Sequence, residues 1–302
     1  MKYIRRNAVL IFGMFLLVIL LFITFVGPYL PGIDQELEET QYIWSEERIP
    51  IPPPYEPNPE YLLGSDHSGR DLMSLIVIGA KETLLIVLFI TLVRYLVAIP
   101  LSYLAHKEWL GIHLFLKWIN GFLSYVPTII MVILLAMLPP FLFNENRIYI
   151  MILIIALVEV GRAAESIKLD LDDTASKEYI LSGIVAGASP FRIFRHYLLP
   201  FVYGKLIVYI VSDVGKVMFL VGQLAFIGVF ISQEIIQIDF GQFQIRNTSI
   251  SWPMLLADAH RDIRIAIWIP FWTAFAMTFT IFTFNVLAQG FQNLFKKKNT
   301  YI

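Results

Sequence analysis

Four charged side chains, Arg94, Glu159, Asp213 and Lys216, interrupt long apolar stretches of this sequence. An ionised side chain at the centre of a membrane helix costs about 2.5–3.5 kcal/mol even on the lenient insertion scale, so each needs a partner or water. Asp213 and Lys216 are three residues apart, share a helix face and partly neutralise one another. Arg94 can reach Glu159 across a helix interface. Two readings stay open: ion pairs that fix helix register, or the polar lining of a path through the bilayer. No catalytic set accompanies these charges. His67, His106, His113, His196 and His260 are scattered without metal-ligand spacing. With no Cys, the chain has no disulfide framework, thiolate chemistry or Cys-based metal site. It also has no G-x-x-x-x-G-K-[ST] phosphate loop, so it supplies no ATP hydrolysis of its own.

Two further clusters lie outside the apolar stretches. In Leu63-Gly64-Ser65-Asp66-His67-Ser68-Gly69-Arg70-Asp71-Leu72, glycines flank polar residues just ahead of an apolar helix. Ser68-x-x-Asp71 resembles a capping box, and Arg70 can pair with Asp71, bracing an outer mouth together with Asp66. Helix capping, substrate contact, and a metal site needing ligands beyond Asp66 and His67 are the three readings. The other cluster is Glu178 to Pro200, where two short helices are predicted. The first runs from about Thr174 to Ala186, with Asp173 or Thr174 as N-cap, Tyr179, Ile180 and Ile184 on one face, and Gly187 as its stop. The second has Ser189 as N-cap and Pro190 at the first helical position. It carries Phe191, Phe194 and Leu198 along one side and Arg192 and Arg195 along another, and it meets Pro200. Two helices meeting at a glycine make a corner. Its apolar face needs a protein surface and so reads as a docking handle; an amphipathic helix lying on the bilayer is the alternative.

The elements that hold these clusters are membrane spans. Of 302 residues, 57% are hydrophobic and 16% charged, and the mean hydropathy is +0.68. This excludes an ordinary soluble domain and predicts an all-α polytopic membrane protein. The 23 basic and 24 acidic residues nearly cancel, a sum that hides a positional bias in Lys and Arg and by itself says nothing about partners; for a membrane protein of this kind no nucleic-acid partner is expected. Six spans are predicted, at about Ala8 to Gly27, Thr83 to Tyr103, Ile119 to Leu138, Ile148 to Glu165, Leu206 to Ile231 and Ile265 to Ala288. Gly27-Pro28-Tyr29-Leu30-Pro31-Gly32 lacks an Ala-x-Ala cleavage pattern, so the first stretch reads as a retained span and not a signal peptide. Lys and Arg concentrate in the segments that this topology puts inside: Lys2, Arg5, Arg6, Lys107, Lys117, Arg162, Lys168, Lys177, Arg192, Arg195, Lys205 and Lys296 to Lys298. The short outer loop near Asn144 holds Arg147 alone; the outer loop between the fifth and sixth spans breaks the trend with Arg246, Arg261 and Arg264, so the topology rests on the sum. Both termini are therefore expected in the cytoplasm. The organisation expected is a cytoplasmic tip and first span over 1–28, and an extracytoplasmic Pro-rich segment and helix start over 29–80, its prolines in extended polyproline form. A core of five spans follows over 81–291, with a cytoplasmic loop at 166–200, and a basic tail over 292–302 attracted to anionic lipid.

Glu178-Tyr179, Gly187-Ala188-Ser189 and Arg195-His196-x-Leu198-Leu199-Pro200 resemble the "EAA" loop of ABC importer permeases, in the version of the dipeptide/oligopeptide/nickel group. Leu63 to Leu72 is similar to that group's L-G-T-D-x-x-G-R-D block, and the likeness covers roughly Leu63 to Phe295, including Ser251-Trp252, Leu256-Ala257-Asp258 and Phe284-Asn285. It resembles the second permease subunit of a peptide importer. The resemblance implies a type I permease fold in a bacterial or archaeal inner membrane and a homologous permease as partner. It also implies two cytoplasmic ATPases that bind ATP and magnesium, and an extracytoplasmic substrate-binding protein; this chain binds no cofactor itself. It implies ATPase coupling through Glu178, Tyr179, Ser182, Gly183, Gly187, Ala188, Ser189, Pro190, Arg195 and Pro200. Leu181-Ser182-Gly183 stands where the family has Glu-Ala-Ala, and a helical glycine there costs up to about 1 kcal/mol relative to alanine. The outer loop at about 232–262 is also longer than the family usual. A nickel-chelate or other small-nutrient cargo, and a non-transporting membrane scaffold, remain as alternatives.

Overall fold

The computed structural model describes residues 7–44, 48–142, 144, 146–239, 242–247 and 249–298. Helix α1 spans Ala8–Phe25 and carries no charge. The chain then turns through Gly27–Tyr29 into the Pro-rich segment, where strands β1 (Ile43–Trp44) and β2 (Pro50–Ile51) pair antiparallel. This segment is no free linker. Tyr55 and Tyr61 are buried with ring centroids 5.2 Å apart, and the Tyr55 hydroxyl donates to the Thr40 carbonyl at 2.8 Å. A Cβ on Gly69 would lie 2.0 Å from that same carbonyl oxygen, so only glycine closes this turn.

Helix α2, Leu72–His106, has 35 residues, about 52 Å at 1.5 Å per residue, and overshoots the hydrocarbon core. Beyond it come α3 (Ile112–Tyr125) and α4 (Thr128–Ala136), bent by 97° where Val126 and Pro127 break the helix. The predicted straight span from Ile119 to Leu138 is thus a broken one. After α5 (Pro139–Leu142), the predicted span from Ile148 to Glu165 divides at Glu159 into α6 (Arg147–Val158) and α7 (Val160–Ala175). Arg147 leaves the expected outer loop to begin α6, buried, with Nη1 donating to the Ala136 carbonyl at 3.3 Å. Helices α8 (Glu178–Val185) and α9 (Pro190–Ile193) follow, then a wide π turn, Phe194–Leu198, and α10 (Leu199–Phe226).

The expected long loop after α10 contains an antiparallel hairpin, β3 (Gln233–Asp239) with β4 (Gln242–Asn247), in register at Gln233↔Asn247 and Ile235↔Ile245. A short turn at Trp252–Leu256 and α11 (Ala259–Ile265) lead to α12, Trp268–Lys298. Helices α1, α2 and α12 and the run Phe194–Phe226 are long and apolar enough to cross a membrane, and the bent pair α3–α4 makes a fifth if it is one span. This is a multi-pass membrane protein. The six predicted passages are consistent with these four or five, the predicted span at α6–α7 being broken and too charged to be counted by length and apolarity.

Side chains such as Leu20, Ile90, Met151, Met218 and Met277 form the central core. A second core, with Ala98, Ile167, Leu171, Ile180 and Val202, sits at the end of the molecule that holds both described chain ends. Outside, Phe15, Leu92, Trp118, Leu153 and Phe271 are exposed, as a lipid-facing surface requires. Helices α1 and α12 touch through glycines, as membrane helices do where backbones approach closely. A Cβ on Gly290 would lie 2.6 Å from the Leu10 Cα, and one on Gly13 3.0 Å from the Leu287 nitrogen.

Candidate functional site

The corner is built where the second core reaches the surface. Helix α8 begins at Glu178, not near Thr174, because α7 continues to Ala175; the Thr174 hydroxyl bonds back to the Asp170 carbonyl at 2.7 Å within that helix and caps nothing. The predicted stop holds. Gly187 takes φ +80°, the Ala186 N–H bonds to the Ser182 carbonyl at 2.9 Å, and the Ala188 N–H to the Gly183 carbonyl at 3.1 Å. This is a left-handed glycine closure of a helix C-terminus. Ser189 then starts α9, its Oγ 3.4 Å from the Arg192 nitrogen. Pro200 does not end the second helix. It has no N–H for the His196 carbonyl, and the preceding turn widens so that the Leu199 N–H reaches the Phe194 oxygen.

The described apolar side chains of the corner at Ile180 and Phe194 pack against this chain's own helices, which corrects for them the expectation that they need a partner's surface. Ile180, Ile193 and Leu198 are buried, the Phe194 ring packs at a tilt against Tyr103 with centroids 4.4 Å apart, and Tyr179 likewise against Phe201 at 5.1 Å. Gly183 is buried facing the Tyr197 ring. What remains outside is the tip: Glu178, Ser182, Val185, Gly187, Ser189, Arg192, Arg195 and Pro200 are exposed, and Ala188 is half-buried. The side chains of Leu181, Ile184, Pro190 and Phe191 lie outside the described ones.

Two aspartates that sequence reasoning passed over tie the corner to the spans. Asp172 of α7 meets His106 Nδ1 of α2 at 2.6 Å and Lys168 Nζ at 2.7 Å. Asp170 meets Lys205 Nζ at 2.6 Å and the Tyr209 hydroxyl at 2.8 Å, both on α10. Burial pushes the Asp172 carboxyl up, but hydrogen bonds and charges from Lys168 and His106 outweigh it and hold the group below its ordinary value. The legible signal was Lys168-x-Asp170-x-Asp172, alternating around an otherwise amphipathic helix.

Between the long helices, the four charges singled out in the sequence meet at one cavity of about 490 Å³. The pairing differs from the expected one. Arg94 reaches Asp213, Nη1 to Oδ2 at 2.7 Å, and gives Nη2 to the Ile155 carbonyl at 2.8 Å and Nε to Ala156 at 3.3 Å. Those carbonyls are freed by the break at Glu159, so Arg94 caps the end of α6 as well as carrying its charge. Glu159 instead meets Arg162 at 2.7 Å and the Thr128 hydroxyl, and Arg162 also holds the Leu123 carbonyl at the α3–α4 bend. Two helix breaks thus share one ion pair. No ion pair within 4 Å joins Lys216 to Asp213 or to any other described carboxylate, and Lys216 is exposed in the cavity. Tyr209, Ser212, Asp213, Lys216 and Gln223 recur along one face of α10, a polar stripe of helical period that the sequence reading did not collect.

At the other end, Asp66 is saturated within its turn: Oδ1 accepts the Ser68 and Arg70 N–H groups at 3.0 and 2.8 Å, and Oδ2 the Arg70 guanidinium at 2.6 Å. Arg70 therefore pairs with Asp66, not Asp71. Asp71 is itself the N-cap of α2, accepting from the Ser74 nitrogen at 2.8 Å, where Ser68 was expected. His67 Nε2 meets Asp262 at 2.7 Å.

The family model "Binding-protein-dependent transport system inner membrane component" matches residues 98–301, more than half of the chain and all of the corner. The chain belongs to that family. This inner membrane component is similar to the dipeptide transport system permease protein DppC of Bacillus subtilis, 26% identical over 98% of this chain and 84% of that protein. It is also similar to the oligopeptide transport system permease protein OppC of Haemophilus influenzae, 26% identical over 79% of this chain and 71% of the relative. As an inner membrane component, the chain contributes helices to a transporter.

Proposed function

We propose that this chain is a permease subunit of an ATP-driven importer for peptides. It forms the translocation path with a second, related permease, receives cargo from an extracytoplasmic binding protein, and is driven by two cytoplasmic ATPase subunits that hold the ATP and magnesium. The observation that carries the reading is the corner at Gly187. Its apolar side is fixed on α2, α7 and α10 within the chain, while its tip, with Val185, Ser189, Arg192 and Arg195, stands exposed. A corner so anchored transmits a push to the spans, where a floppy loop would absorb it. Glu178, Tyr179, Ser182, Gly183, Gly187, Ala188, Ser189, Pro190, Arg195 and Pro200 are the residues through which ATPase closure reaches the membrane. Arg94, Glu159, Asp213 and Lys216 line the path, and Asp66, Arg70 and Asp71 shape its outer mouth. The concentration of Lys and Arg at the terminal end supports a cytoplasmic position for both termini. Peptide cargo is supported by the names of the relatives.

Native mass spectrometry of the complex purified through a tag on this chain tests the assembly. A second permease-sized subunit together with P-loop ATPases is expected; the chain alone, under conditions that keep known importers assembled, overturns it. Uptake of labelled di- to pentapeptides by proteoliposomes of that complex, with its binding protein and ATP, tests the cargo, and uptake of a nickel chelate but no peptide would replace it.

A further inference from the structure

We infer that Lys216 is the binding point for a free carboxylate inside the membrane, supplied by the C-terminus of the transported peptide; this rests on the importer reading above. The charges on the cavity wall do not balance. Three cations, Arg94, Arg162 and Lys216, face two carboxylates, Asp213 and Glu159. Each carboxylate is taken, Asp213 by Arg94 and Glu159 by Arg162, both at 2.7 Å. Arg94 is further committed to the Ile155 and Ala156 carbonyls. Lys216 is exposed to the cavity and makes no contact ion pair with a described carboxylate; its charge acts on Asp213 only from beyond 4 Å, and Asp213 is already held by Arg94.

Its position makes the surplus costly. Lys216 lies near the middle of α10, Leu199–Phe226, where an unpaired ammonium is retained only for a partner or an ion path. The cavity of about 490 Å³ falls within the usual range of small-ligand sites. On the same helix face, Ser212 and Gln223 flank Lys216 one turn before and two turns after. They supply hydrogen-bonding groups that a carboxylate and the neighbouring amide can use. A carboxylate on an ammonium makes a charge-assisted bond, about twice as strong as a neutral one.

The test uses the whole complex in proteoliposomes with its binding protein and ATP. One tripeptide is supplied as the free acid and as the C-terminal amide, with binding-protein affinity for each measured separately and divided out. The wild type is expected to move the acid roughly tenfold faster or more, the effect of one charge-assisted hydrogen bond. Lys216→Gln is expected to bring the acid-to-amide ratio to about one, and Lys216→Arg to keep it. A wild-type ratio near one overturns the proposal while leaving the importer reading intact, and needs no variant. A ratio that Lys216→Gln does not change also overturns it. Loss of the partner permease from the Lys216→Gln complex, restored in Lys216→Arg, would make Lys216 a subunit contact and overturn it as well. If the wild type moves neither peptide, the importer reading fails and the proposal falls with it.

Discussion

At the scale of single residues, the polar groups in the membrane act as structural clamps before they act as anything else. Arg94 is 3% exposed and satisfies a carboxylate and two backbone carbonyls at once. Removing its partner strands a buried cation, so Asp213→Ala should destabilise the purified protein by about 3 kcal/mol, with much of this recovered in the Arg94→Met/Asp213→Leu pair. Thermal unfolding in detergent reads both; equal losses in the single and double variants would show that the pair is not what holds α2 to α10. Asp172 gives a pH signature. Its carboxyl is held below its ordinary value, so the stabilisation is present above the unfolded carboxylate pKa of about 3.9 and is lost as pH falls through the lower folded value. The wild type should therefore lose stability more steeply than Asp172→Asn on acidification from pH 5 to below 4, in the same unfolding assay.

At the scale of elements, the corner holds two glycines under different constraints, Gly183 inside α8 and Gly187 just beyond its end. Gly187 needs its left-handed φ of +80°, which a β-branched residue adopts only with strain. Gly187→Val should abolish uptake while the chain still inserts, as judged by membrane fractionation; unchanged uptake would remove the corner from the coupling mechanism. Gly183 carries no such constraint. A Cβ there would sit 3.5 Å from the Tyr197 ring, ordinary contact, so Gly183→Ala should stabilise α8 by up to about 1 kcal/mol, visible as slower proteolysis at the corner. Unchanged or faster cutting would mean that Gly183 serves the flexibility of the helix.

For the whole molecule, the expectation is that the two ends of the bundle face opposite compartments. The absence of Cys makes this easy to read. Leu62→Cys, at an exposed position of the Pro-rich segment, should react with an impermeant maleimide on intact cells, and Ser189→Cys only after the membrane is opened. The reverse pattern would invert the topology and put the corner out of reach of any cytoplasmic ATPase.

Much of this was legible in the sequence because the bilayer is a severe solvent. Apolar length alone marks Ala8–Phe25 and the cores of α2, α10 and α12 as spans, and a Gly followed by Ser-Pro marks the corner, since those residues restrict the backbone locally. Pairing was not legible. Arg94 and Asp213 are 119 positions apart; Asp213 and Lys216, three residues apart on one helix, do interact through their charges, but the contact ion pair goes to Arg94 through the packing of α2 against α10. Nor did hydropathy show the 97° bend at Pro127, the break at Glu159, or that Ile180 is buried against this chain's own helices. The sequence by itself determined which segments leave water and where the backbone must turn, because transfer free energies and φ restrictions belong to single residues and short windows. Only the tertiary structure decided which charges neutralise one another and which cation is left over, because that depends on distances of a few ångströms between helices far apart in the chain.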